Sequence, residues 1–172
     1  MSSYLKLIIF IVILLGLSAA VVFVDSSIDN INDSMPAISN SIVQGDKDYN
    51  ESVELLNNRN FEESSQKAQS AGDNYNNSLN KLRDIQNRFD KDLNNVHKQY
   101  ISVTIQELQL KLNAVEELEE SIYYLRNYYN STGSSHGSEA NDYMYDALNY
   151  QNQRNEIVKN NSKLFIEIEV LN

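Results

Sequence analysis

The chain contains no cysteine and no tryptophan, and only one proline and five glycines in 172 residues. Without cysteine there are no disulfides, no thiolate metal ligands, no cysteine nucleophile and no lipid-modified cysteine. Stability has to come from packing alone. The scarcity of proline and glycine removes most helix breakers, while 24 asparagines supply polar residues suited to turns and caps. This composition predicts long helices joined by Asn-rich turns. Positive charge is sparse as well. Beyond residue 24 there are 13 Lys and Arg against 24 Asp and Glu, a net charge of −11. No window clusters cations for phosphate contact, so no nucleic-acid partner is expected.

Long apolar runs are missing everywhere except the start. Tyr4 to Val24 reads YLKLIIFIVILLGLSAAVVFV with the single charge Lys6. As a helix it measures about 31 Å, matching a hydrocarbon core of about 30 Å. The sequence therefore predicts a transmembrane anchor over residues 1–24, touching the membrane through 4–24. Lys6 precedes the span and Asp25, Asp29 and Asp33 follow it, which predicts a cytoplasmic N-terminus and an extracytoplasmic C-terminal domain at the cell membrane. The alternative is a cleaved signal, because Ser18-Ala19-Ala20 offers small residues before Val21.

Residues 25–35 read as a linker or helical stalk and 36–172 as the folded domain. Pro36 suits a first helical turn, and Ile38, Ile42, Tyr49, Val53 and Leu56 recur at helical intervals up to the turn Asn57-Asn58-Arg59-Asn60. Phe61, Ser64, Ala68, Ala71, Tyr75, Ser78, Leu82, Ile85 and Phe89 then follow steps of three and four. This seam loses register near Asn94-Asn95, and Ile101, Ile105, Leu108, Leu112, Val115, Ile122, Leu125 and Tyr129 resume in another phase. A turn near Asn94–His97 is expected to fold the two runs into a hairpin. Ser131 to Ser138 reads as a flexible loop. Tyr143, Ala147, Tyr150, Arg154, Ile157, Asn161, Leu164, Ile168 and Leu171 form the final helical pattern, with a terminal strand over Phe165–Val170 as the alternative. The predicted fold class is all-α: the transmembrane helix, then an antiparallel, coiled-coil-like bundle of about four helices whose C-terminus returns toward the membrane.

Tyr49 to Leu56, the Asn-rich turn, and Phe61-Glu62-Glu63 leading to Ala68 and Ala71 resemble the helix, turn, helix of a tetratricopeptide-like repeat. Phe61 and Ala71 occupy its aromatic and small positions. Arg59 stands where that pattern usually has Gly, no terminal Pro follows, and no second copy recurs at a 34-residue period. The resemblance implies a helical hairpin that packs on other helices. More broadly, the chain resembles the Asn-rich, singly anchored helical proteins of methanogenic archaea, which implies the same layout and no particular activity.

No residue pattern points to catalysis, a cofactor or a metal. His97 and His136 read as solvated turn and loop residues, and neither follows a Glu at the spacing of a carboxylate-bridged bundle site. Glu116, Glu117, Glu119 and Glu120 read as a solvated helix face. Tyrosine is more informative. Tyr123, Tyr124, Tyr128, Tyr129, Tyr143 and Tyr145 flank the expected loop and form the candidate contact surface, the competing reading being rings packed between two helices. Asn130, in the sequence Asn-Ser-Thr, is the candidate N-glycosylation site. The expected function is a non-catalytic, membrane-anchored extracytoplasmic module for protein interaction or cell-envelope scaffolding. The alternative is a ligand-binding or sensor bundle acting with a transmembrane partner. The Ala- and Ser-rich seams could also serve a second copy in a homo-oligomer.

Overall fold

The computed structural model describes residues 20–24 and 29–168. The order of elements is β1 (Ala20–Phe23), α1 (Asp29–Asn32), α2 (Met35–Asn57), α3 (Phe61–Phe89), α4 (Asn95–Arg126), α5 (Asn130–Asn160), a 3-10 turn (Ser162–Leu164) and β2 (Phe165–Ile168). The domain is a helical bundle. Helices pack in chain order, each antiparallel to the next, with α4 on α5 the most extensive pairing and only a narrow direct contact between α2 and α4.

The seams explain the helices. On α2 the residues Ile38, Ile42, Tyr49, Val53 and Leu56 are all buried, as are Ser64, Ala68, Ala71, Tyr75, Ser78, Leu82 and Ile85 on α3. Small residues on this α3 face let its backbone lie close to its neighbours. Phe89 ends α3, and the Asp90–Asn94 turn with buried Leu93 reverses the chain. The turn falls just before the expected Asn94–His97 because Asn94 is the N-cap of α4, its Oδ1 accepting from the His97 N–H at 2.9 Å. Residues 60–130 are thus a hairpin and not one long helix.

The expected loop at Ser131–Ser138 is instead the first two turns of α5. Glycine normally weakens a helix by about 1 kcal/mol. Here Gly133 is buried where a Cβ would sit 2.6 Å from Leu125 Cγ, and the Ser121 hydroxyl donates to the Gly133 carbonyl at 2.8 Å. Close approach to α4 requires the missing side chain. The buried α5 seam runs Gly133, Gly137, Ala140, Met144, Ala147, Gln151, Arg154, Ile157 and Val158. Tyr143 and Tyr150, assigned to it from periodicity, flank it half-buried.

β1 pairs antiparallel with β2, Ala20 opposite Ile168 and Phe23 opposite Phe165. Val21 and Phe23 join the core. Phe23 stacks on His97 with centroids 4.1 Å apart, and Tyr100 and Phe165 close the cluster edge-on or tilted. The Asn32 amide clasps the Phe23 backbone, accepting from its N–H and donating to its carbonyl, both at 2.8 Å. Two expectations are corrected here. His97 is fully buried and not solvated, because its ring completes this cluster. Residues 20–23 are strand and not the end of a membrane helix, since their backbone groups pair with β2. Within the stretch 25–35, read as a linker or helical stalk, lie α1 and the first residue of α2. The rest of the expected anchor, 4–19, lies outside the described residues. Among the described residues no helix is long and apolar enough to cross a membrane.

Two turns at one end of the bundle are built alike. Arg59 and Tyr128 both have positive φ, 61° and 68°. The Asn60 N–H bonds the Leu55 carbonyl and the Tyr129 N–H bonds the Tyr124 carbonyl, the six-to-one bond of a Schellman C-cap. A shift of 69 residues (59 to 128) aligns the turn of the hairpin α2–α3 with that of α4–α5. Buried positions then coincide: Tyr49 with Leu118, Ser52 with Ser121, Val53 with Ile122, Ser64 with Gly133, Ala71 with Ala140, Tyr75 with Met144, Ser78 with Ala147. The fold is two similar hairpins in tandem.

Candidate functional site

The α2–α3 and α4–α5 turns share one end of the bundle, where Arg126 Nη1 reaches Glu62 Oε2 at 3.1 Å, while β1, β2 and the α3–α4 turn occupy the other. Tyr123, Tyr124, Tyr128 and Tyr129 gather at the first end because α4 terminates there. Tyr123 packs edge-on against Tyr124 at 5.3 Å, and Tyr124 against Tyr129 at 6.2 Å. Tyr128 is 88% exposed, with Tyr129 and Tyr123 also exposed. Tyr143 and Tyr145 do not join them: they lie about four turns along α5. Tyr145 is exposed there and Tyr143 half-buried. Asn130 is the exposed first residue of α5.

Tyr128, like Arg59 in the matching turn, has left-handed backbone. A left-handed conformation costs an L-residue about 1–2 kcal/mol, and glycine or asparagine usually fills it. A bulky aromatic in this position with its ring in water contributes little to folding. Tyr124 is the half-buried one of the four, its ring lying parallel to His136 at 5.2 Å.

Below Tyr124, His136 is half-buried on α5 and not a solvated loop residue. Its Nδ1 lies 2.6 Å from Glu117 Oε2 of α4, and ligand atoms of Glu117, His136 and Glu139 all fall within 4.8 Å of one another. Local spacing hid this trio, because Glu117 is 19 residues from His136 and Glu139 follows the histidine instead of preceding it. Glu116 and Glu120 are exposed, as expected of that face. Burial, with Glu116 and Glu120 nearby, pushes the Glu119 carboxyl up.

A second polar group sits in the core. Lys111 Nζ on α4 lies 2.7 Å from Asp46 Oδ1 on α2 and 2.9 Å from Glu107 Oε1. Arg154 Nη1 on α5 lies 3.3 Å from Glu107 Oε2, and the Tyr75 hydroxyl on α3 donates to Asp46 Oδ1 at 2.8 Å. Gly45 makes this possible, since a Cβ there would stand 2.6 Å from the Tyr75 ring. Burial pushes the Asp46 carboxyl up against the pull of Lys111. Burial would lower Lys111, but Asp46 and Glu107 beside it hold it above its ordinary value. Two anions and two cations cancel, and their side chains are 0–7% exposed. A substrate could reach them only by displacing the core, so the cluster reads as architecture. Only the Glu107–Lys111 spacing of four is a local signal for it.

A shallow surface depression of about 330 Å³, lined by Ser34, Asn77, Asn80, Lys81, Asp84 and Ile85, touches neither feature. Comparison with protein-family models, with curated proteins and with solved structures finds no match to this chain.

Proposed function

We propose that this chain is a non-catalytic, extracytoplasmic interaction module, held at a membrane by its N-terminal apolar segment and meeting a protein or envelope partner through Tyr123, Tyr128 and Tyr129. The observation that carries this reading is Tyr128, an 88% exposed ring on a turn whose left-handed C-cap needs no aromatic side chain. Tyrosine also suits contact surfaces, because it offers a large rigid ring with a polar edge.

The placement of β1 supports the tether. The apolar segment enters the domain at β1, while the tyrosines lie at the opposite end, and α4 with its 32 residues spans about 48 Å between them. Since β1 takes Ala20–Phe23, a membrane helix would draw on residues 4–19, about 24 Å, which local bilayer thinning can accommodate. Intact mass of the membrane-bound chain should include residue 1; a chain beginning at Val21 would overturn the tether.

The contact surface is tested by a photo-crosslinking residue placed at 128 in the full chain in its native cells, with Arg88 on exposed α3 as the control position. Discrete adducts at 128 that disappear when Tyr123 and Tyr129 are changed to Ser support the surface. Equal adducts at both positions, or none at 128, would remove it.

A further inference from the structure

We infer that Glu117, His136 and Glu139 bind a divalent transition-metal ion of the zinc class. The inference stands apart from the contact surface and rests on what the two hairpins place at the same spot. In the first hairpin the 69-residue shift takes these positions to Asp48, Lys67 and Ser70. There the carboxylate is fully served: Lys67 Nζ is 2.9 Å from Asp48 Oδ1, the Ser70 hydroxyl donates to Oδ2 at 2.8 Å, and Gln44 donates at 3.1 Å. Burial works against the Asp48 charge, yet these donors hold its carboxyl below the ordinary range.

In the second hairpin every donor changes. Lys67 becomes His136, Ser70 becomes Glu139, Gln44 becomes Asn113 and Asn74 becomes Tyr143. The permanent cation is gone, and a hydroxyl donor has been replaced by a second acceptor. Two carboxylates and an imidazole thus gather where the counterpart site has one carboxylate, a lysine and a hydroxyl.

The donor set suits a metal. His136 and Glu139 are three apart on α5 and share a face, and Glu117 reaches them across the tightest helix pairing in the fold. One imidazole and two carboxylates supply three zinc ligands, leaving a fourth position to water. Tetrahedral ligands at about 2.0–2.1 Å stand roughly 3.3 Å from one another, so atoms already within 4.8 Å need only rotamer-scale adjustment. The ion takes the place of the proton between His136 Nδ1 and Glu117 Oε2. Tyr124, parallel to the imidazole within 1°, fixes the ring plane in the way outer partners orient metal-binding histidines. Magnesium and calcium prefer all-oxygen shells, which a histidine ligand disfavours.

Cobalt(II) is the probe, followed by visible absorption on titration into the full chain, with zinc(II) then added to displace it. One equivalent should saturate the d–d bands and zinc should abolish them. E139Q, at an exposed position, should weaken binding at least tenfold. The double variant H136K/E139S recreates the ion pair of the first hairpin, so it should keep its far-UV circular dichroism and lose saturable binding altogether. Absence of a saturating equivalent in the unaltered chain would overturn the site, as would binding unchanged in both variants; a plain Glu117–His136 hydrogen bond would then account for the geometry.

Discussion

In the first hairpin, the half nearer the strands packs Ile38 and Ile42 of α2 with Leu82 and Ile85 of α3. At the equivalent places the second hairpin holds Glu107 and Lys111 on α4 with Gln151 and Arg154 on α5, all buried as deeply. Nearer the turns the difference is one of size: Ser52 and Ser64 exchange hydroxyl bonds with each other's carbonyls at 2.7 and 2.8 Å, whereas Ser121 meets Gly133. The same backbone scaffold therefore tolerates an apolar seam in one copy and a charged one in the other. The condition is that each buried charge finds an opposite partner, and Asp46 crosses from the first hairpin to supply one.

Breaking that crossing should give the largest effect. Lys111→Ala leaves Asp46 with the Tyr75 hydroxyl but no cation and Glu107 with Arg154 alone, and is expected to cost about 3–5 kcal/mol in urea unfolding. Rewriting the cluster with the residues of the other hairpin, Glu107→Ile, Lys111→Ile, Gln151→Leu and Arg154→Ile together with Asp46→Val and Tyr75→Phe, should be neutral or stabilising. A rewritten protein that is more stable but no longer a single species on sedimentation would assign the charges a role in choosing helix partners; one that stays uniquely folded would remove it.

Gly133→Ala comes next. Its Cβ would lie 2.6 Å from Leu125 Cγ and 3.1 Å from the Leu125 backbone nitrogen, so α4 and α5 must separate, at about 1–3 kcal/mol. Ser64→Ala at the matching position adds no bulk and loses hydroxyl bonds worth about 1 kcal/mol. Equal losses in the two variants would mean the hairpins are packed alike.

Arg59→Gly and Tyr128→Gly relieve left-handed backbone and should each change stability by no more than about 1 kcal/mol, in the stabilising direction, read as a rise in thermal midpoint. A marked loss with Tyr128→Gly would return that ring to a packing role and undercut the contact surface.

The smallest effect concerns acid. The Asp48 carboxyl is held below its ordinary 3.8 in the folded state, so its contribution is complete above that value and fades as pH falls through the lowered one. Asp48→Asn should flatten the acid limb of the stability curve below about pH 4.

The α2 and α3 seams were legible because their apolar and small residues recur at three and four, and only one helical phase buries Ile42, Tyr49, Ala68 and Leu82 together. The hairpin turn at Asn57–Asn60 and the register slip before α4 were legible for the same reason. The α5 seam was not. Gly133, Gly137, Gln151 and Arg154 carry no hydrophobic signal, so periodicity attached itself to Tyr143 and Tyr150 on the flank, and a helix that needs glycines for contact read as a loop. The tyrosine-rich region was legible as composition, but not its division between the turn and the middle of α5.

Sequence by itself determined the all-helical bundle and most of its two first seams, because burial of a periodic stripe is a local property of the chain. Tertiary structure alone decided three things. It drew Val21 and Phe23 into a strand against β2, a pairing across more than 140 residues that no local pattern encodes. It closed Asp46, Glu107, Lys111 and Arg154 into one neutral group, since charge balance in a core depends on which helices meet. It set Glu117 beside His136 and Glu139, where the convergence of two helix faces, and not spacing along either one, assembles the ligands.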